Sequence, residues 1–179
     1  MNSSSRNIFL IGFMGSGKST VGRRLAQRLG FGFADLDQLL VEREGRSIPQ
    51  IFAEDGEPFF RDCESAVLAE QADRVSTVFA TGGGIVGREK NRALMKELGI
   101  VVYLRVSWST LERRLARSSG RPLADPGQGL APVRQLWQSR LPWYEEADLV
   151  VDADRLSVNG VVREIINRLG MEEVKQCPS

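Results

Sequence analysis

A chain of 179 residues, 42% hydrophobic and 26% charged, has the balance of one globular domain built on one core. Its net charge of +1 argues against a nucleic-acid scaffold or a membrane-surface binder. No apolar run reaches the ~20 residues of a bilayer-spanning helix. Histidine is absent and the cysteines are Cys63 and Cys177 alone. That excludes the common zinc sites and the Ser–His and Cys–His nucleophile pairs, and it fits a reducing, cytoplasmic compartment. Chemistry here has to come from carboxylates, Lys, Arg, backbone amides and bound cations.

The N-terminus is polar up to Asn7, and the apolar run Ile8 to Ile11 is too short for a signal-peptide core. Asn7 to Gly12 reads as a first strand. Gly17 to Leu29 reads as an amphipathic helix, with Val21, Leu25 and Leu29 at four-residue spacing. Strands are predicted at Phe31 to Asp35, Val75 to Ala80, Ile100 to Val106 and Asp148 to Asp152. Helices are predicted at Arg88 to Leu98, Ser109 to Arg117, Pro132 to Ala147 and Val158 to Leu169. Strands alternating with helices specify an α/β three-layer fold, a five-stranded parallel sheet with helices on both faces. Residues 36–74 carry extra helical material, and 118–130, rich in Gly and Pro, read as a mobile loop. The tail from Met171 to Ser179 is expected to fray.

The first strand runs into Gly12-Phe13-Met14-Gly15-Ser16-Gly17-Lys18-Ser19, a complete G-x-x-x-x-G-K-[ST] between a strand and a helix. Its glycines let several amides turn toward one anion, and the helix N-terminus adds positive charge. Lys18 is placed to reach β- and γ-phosphates, and Ser19 to ligate Mg²⁺. The motif predicts ATP binding without naming the acceptor.

Other segments bear on the acceptor. Asp35-Leu36-Asp37 ends the second strand on the rim where ligands gather. One carboxylate can support a metal and the other can take a hydroxyl proton, while two solvated acids with one capping the next helix is the plainer reading. Arg61 and Glu64, three apart on a helix, can present an oriented guanidinium to a carboxylate or form an ordinary surface pair. Three consecutive glycines, Gly82 to Gly84, follow the third strand, where many phosphate-loop proteins carry an acidic metal ligand, which puts more weight on Asp35. Arg113, Arg114, Arg117 and Arg121 lead into the Gly/Pro loop, which can close over a nucleotide and exclude water. Arg140 lies on the helix before the last strand, and Trp137 and Trp143 there are packing residues.

In this order the motifs resemble those of shikimate kinases: the Gly-x-Met-Gly-Ser-Gly-Lys-Ser loop, Asp35-x-Asp37, Phe59-Phe60-Arg61-x-x-Glu64, the Gly82–Gly84 turn, Arg121-Pro122-Leu123 and Arg140-x-Pro-x-Tyr-Glu-Glu. The resemblance runs from about Asn7 to Leu169 and implies transfer of the ATP γ-phosphoryl to the 3-hydroxyl of shikimate, in the route to aromatic amino acids. It implies shikimate contacts from Asp37, Arg61, Gly83 and Arg140, with the two arginines on the carboxylate and Asp37 on ring hydroxyls. Lys18 and Arg121 would face the moving phosphoryl group. Gly15, Ser16, Gly17, Lys18, Ser19 and Thr20 would bind nucleotide, with Arg114 and Arg155 near adenine. Ser19 would hold Mg²⁺ and Asp35 would support it through water. The chain would be one domain over 1–179, with 36–74 as the shikimate-binding segment and 118–130 as the lid, working as a monomer without nucleic-acid or membrane partners. Leu36 departs from the family pattern, where a small hydroxyl residue is frequent, and is expected to face the core. Two other readings stay open. One is a kinase for another polyol acid such as gluconate, or for a nucleoside monophosphate. The other is a nucleotide-binding switch without turnover, which needs neither Asp37 nor Arg121.

Overall fold

The computed structural model describes residues 6–117 and 129–174. Arg121 and nearly all of the expected lid lie outside them, as do the last five residues of the tail. The chain begins with β1 (Asn7–Ile11), α1 (Lys18–Leu29) and β2 (Gly32–Asp35), then three helices, α2 (Leu36–Glu44), α3 (Ile48–Glu54) and α4 (Gly56–Ala69). β3 (Thr77–Ala80), a 3₁₀ turn (Ile85–Gly87), α5 (Glu89–Leu98), β4 (Gly99–Arg105) and α6 (Trp108–Ala116) follow. α7 (Ala131–Tyr144), β5 (Leu149–Asp152) and α8 (Val158–Leu169) complete it.

All paired strands are parallel and the sheet order is β2-β3-β1-β4-β5. β1 is buried at every position, as a central strand covered on both faces must be. Its neighbours β3 and β4 lie on opposite sides, so successive connections leave it in opposite directions. That reversal opens a crevice beyond the carboxyl end of β1, which is where the phosphate-loop motif begins. The Phe9 and Phe79 rings stack at 4.8 Å across the β1–β3 pair. Val21, Leu25 and Leu29 of α1 are buried as their spacing predicts, and α1 packs on the apolar stripe of α8 formed by Val161, Val162, Ile165 and Ile166.

The sequence-predicted elements all form, with ends displaced by local chemistry. α1 starts at Lys18 because Gly17 is its left-handed cap, with φ 97°. β3 starts two residues late because Ser76 takes a positive φ of 49°, which breaks the extended run. α7 stops at Tyr144 rather than Ala147, two residues after Pro142, whose ring cannot give an amide to the helix ladder. Within 36–74, Gly45 ends α2 in the left-handed region. Ser47 and Gln50 then form a reciprocal capping box that starts α3. Leu36 is 2% exposed and faces the core as expected.

Candidate active site

The phosphate loop is a backbone structure. Gly15 and Gly17 hold φ of 81° and 97°, a region costly for any residue with a Cβ. No side chain caps the N-terminus of α1, and no acidic residue lies in its first turn. The orphan amides there are left for an anion from outside. Lys18 is buried, and its Nζ donates to the carbonyls of Gly12 (2.8 Å) and Phe13 (3.0 Å), within the curl of the loop. Ser16 is buried beside it and Thr20 is exposed at the start of the helix.

At the next residue, Ser19 Oγ donates to Asp35 Oδ2 at 2.6 Å. The other oxygen, Asp35 Oδ1, accepts the Asp37 amide at 3.1 Å and caps α2. The carboxylate therefore caps α2 with one oxygen and holds the Ser19 hydroxyl with the other. No group of three or more His, Cys, Asp or Glu among the described residues could cage a metal. A hydroxyl and a carboxylate beside a phosphate cradle fit Mg²⁺, which takes few protein oxygens and completes its shell with phosphate and water.

The acceptor side is built from side chains brought together around the glycine triple. A Cβ on Gly82 would lie 2.6 Å from Glu64 Oε1 and 2.7 Å from Asp37 Oδ1. A Cβ on Gly84 would collide with the Arg61 guanidinium. These positions are glycine because three charged groups lie against the backbone there. A Cβ on Gly83 would fall 3.2 Å from the Met14 amide, so the triple also abuts the phosphate loop.

Arg61 is clamped at both ends. Nη1 donates to Glu64 Oε2 at 2.8 Å, while Nε and Nη2 donate to Glu57 Oε1 at 3.2 and 3.0 Å. Burial opposes the Arg61 charge, but Glu64 and Glu57 outweigh it, so the guanidinium pKa rises above its ordinary value. Glu64 is 3% exposed, and its Oε1 has no hydrogen-bond partner among the described residues. Burial, reinforced by the charge of Asp37, pushes its carboxyl above the usual range despite Arg61. Arg140, 7% exposed, reaches the same turn, donating from Nη1 to the Gly83 carbonyl at 3.2 Å. Its guanidinium lies 5.9 Å from the ring centre of Phe13 in the phosphate loop.

Asp35, Asp37, Arg61, Gly83, Arg140, Lys18 and Ser19 thus share the carboxyl edge of the sheet. Arg114 lies against the phosphate loop, donating from Nη1 to the Gly15 carbonyl at 2.8 Å. Arg155 is exposed in the loop after β5, where the neighbouring Asp154 carboxylate accepts the Ser107 amide at 3.0 Å. Trp137 packs against Trp108, with ring centres 5.7 Å apart, as a packing residue should. Two contacts went unread in the sequence: Glu57 on Arg61, and Tyr144, whose hydroxyl donates to the Gly83 carbonyl at 2.5 Å. Both stand four residues from a motif arginine on the same helix, and that i,i+4 spacing was the available signal.

A sequence profile of the shikimate kinase family matches residues 14–170. The chain belongs to the shikimate kinase family. It is 46% identical to a shikimate kinase of Thioalkalivibrio sulfidiphilus over 96% of this chain and 91% of that one. A solved shikimate kinase from Acinetobacter baumannii, in complex with shikimate, superposes with a TM-score of 0.86 at 37% identity, covering 92% of each chain. A gluconokinase from Sinorhizobium meliloti, at 22% identity and a TM-score of 0.58 over 92% of this chain and 91% of that one, shares the fold alone with this member of the shikimate kinase family. No described helix is long and apolar enough to cross a membrane.

Proposed function

We propose that this chain transfers the γ-phosphoryl group of ATP to the 3-hydroxyl of shikimate, giving shikimate 3-phosphate and ADP in aromatic amino acid biosynthesis. The observation that carries this reading is the convergence of two arginines and Asp37 on the Gly82–Gly84 turn, directly against the phosphate loop. A cyclic acid with ring hydroxyls needs such a pocket: cations for its carboxylate, a carboxylate for its hydroxyls and a phosphate donor alongside.

In this reading Arg61 and Arg140 hold the substrate carboxylate, each as a planar fork suited to two-point contact. Gly83 presents backbone to the ring. Asp37 orients the attacking hydroxyl and accepts its proton. Lys18 leaves the carbonyls of Gly12 and Phe13 for phosphate oxygens, following the charge as it moves. Arg121 supplies a second cation from the lid, and residues 36–74 form the shikimate-binding segment. Gly15 to Thr20 bind the phosphates, with Arg114 and Arg155 toward the adenine end. Ser19 and Asp35 would hold Mg²⁺, directly and through water, and the ion would neutralise charge on the β- and γ-phosphates.

The test is ADP release by the purified chain given ATP, Mg²⁺ and one acceptor at a time. Turnover with shikimate, none with gluconate or a nucleoside monophosphate, and loss of turnover on chelation are the expected results. ADP formed only with gluconate or a nucleoside monophosphate selects another kinase. ATP binding without ADP formation under any condition selects a switch.

A further inference from the structure

Three adjacent glycines have no side chains to fix them, so their carbonyls show what holds the turn. The Gly82 carbonyl accepts the Ile85 amide at 3.3 Å, and the Gly84 carbonyl accepts the Gly87 amide at 3.0 Å. Both are local backbone bonds of the 3₁₀ turn. The Gly83 carbonyl differs: it accepts from two side chains of α7, the Tyr144 hydroxyl at 2.5 Å and Arg140 Nη1 at 3.2 Å. A carbonyl has two lone pairs, and each donor can take one.

Tyr144 is built for this contact. It is fully buried, and its ring stacks on Tyr103 of β4 at 5.1 Å and 19°. Burial raises its phenol well above the ordinary value, so it stays a neutral donor. It lies one helical turn from Arg140, and both donate to the Gly83 carbonyl. β4, α7 and the glycine turn meet at one oxygen.

We infer that Tyr144 is a positioning residue for the acceptor: its hydroxyl fixes the Gly83 peptide and, through the shared carbonyl, the guanidinium of Arg140. Loss of the hydroxyl leaves a partly buried carbonyl held by one long bond and frees both the turn and the arginine to reorient. The defect falls on the acceptor, because the phosphate loop is held by its own backbone bonds. This inference rests on the proposed shikimate reading, and wild-type turnover with shikimate tests that reading separately.

Tyr144→Phe keeps the ring and removes one oxygen. The expected result is a rise of roughly five- to twentyfold in the Michaelis constant for shikimate, as for loss of a buried hydrogen bond that orients a charged group. The ATP constant should change by less than about twofold, and the melting temperature should fall by roughly 2–6 °C, as for loss of one buried hydrogen bond. Tyr103→Phe, which keeps the same ring stack, should leave the shikimate constant unchanged. In an Arg140→Ala background, Tyr144→Phe should cost markedly less than in wild type, because both side chains act on one carbonyl. An unchanged shikimate constant, a parallel loss of ATP affinity, or an equal cost in both backgrounds overturns the inference. Should Tyr144→Phe fail to fold, 3,5-difluorotyrosine at 144 keeps shape and hydroxyl but ionises more readily. Shikimate affinity should then fall with rising pH more steeply than in wild type, and parallel profiles overturn the inference.

Discussion

The two halves of the site are made in different ways. The donor side is eight consecutive residues, Gly12 to Ser19, folded as a backbone cradle between β1 and α1, with Lys18 satisfied by carbonyls of the same loop. The acceptor side gathers Asp37 from α2, Arg61 from α4, the turn after β3 and Arg140 from α7, and its order depends on side chains gripping one another. A cradle made of backbone is hard to damage by one substitution except at its charge or at the glycines whose positive φ its curl requires. A pocket made of side chains can be damaged piece by piece, and each loss should have its own kinetic signature.

The largest effect should come from the donor side. Lys18→Ala removes the cation that follows the transferring group, and turnover should fall by about a thousandfold or more. Some stability should be lost as well, since Lys18 is buried and the Gly12 and Phe13 carbonyls lose their donor. A loss below tenfold would mean that the cradle amides alone suffice. Next is Asp37→Asn, expected to lower turnover about a hundredfold, the scale of a lost proton acceptor, with ATP affinity unchanged. Equal losses of ATP binding and turnover would place Asp37 on the donor side and erase the contrast. Arg61→Ala should act on acceptor affinity, raising the shikimate Michaelis constant roughly tenfold or more with a smaller fall in turnover. It also strands buried Glu64, so thermal stability should drop as well, and the double variant Arg61→Ala/Glu64→Gln should recover part of that drop. An unchanged shikimate constant would remove Arg61 from the carboxylate.

The same contrast decides how much could be read before folding. The donor side was legible because its information is contiguous: a Gly-rich motif in strand–loop–helix context dictates its own geometry. Asp35 was legible as two alternatives, cap or metal support; folding shows the cap on one oxygen and the Ser19 hydroxyl on the other. The acceptor residues were named through the order of their motifs, whereas their mutual contacts depend on sheet order. β3 inserts between β1 and β2, which brings the glycine triple against Glu64 and Asp37. Nothing in Gly82-Gly83-Gly84 says which carbonyl needs a tyrosine. Element ends shifted for equally local reasons, such as the left-handed Ser76 before β3, a conformation that no periodicity signals.

The mildest change isolates charge from shape. Glu64→Gln keeps an oxygen for Arg61 and should raise the shikimate constant only a few-fold, the difference between a charged and a neutral acceptor. Its effect on stability should depend on pH with a definite sign. Burial and the nearby Asp37 lift the folded carboxyl above its unfolded value, so the folded chain holds this proton more tightly. Stability from that proton is fully present below the unfolded glutamate pKa and is lost as pH rises through the folded one. The amide cannot titrate. The unfolding free energy of the wild type minus that of the variant should therefore fall as pH rises through this interval and stay level below it, as denaturant titrations at several pH values would measure. A difference that climbs with pH instead would mean that Arg61 holds Glu64 as a favourably ionised partner, and that the acceptor pocket is as well compensated in charge as the cradle beside it.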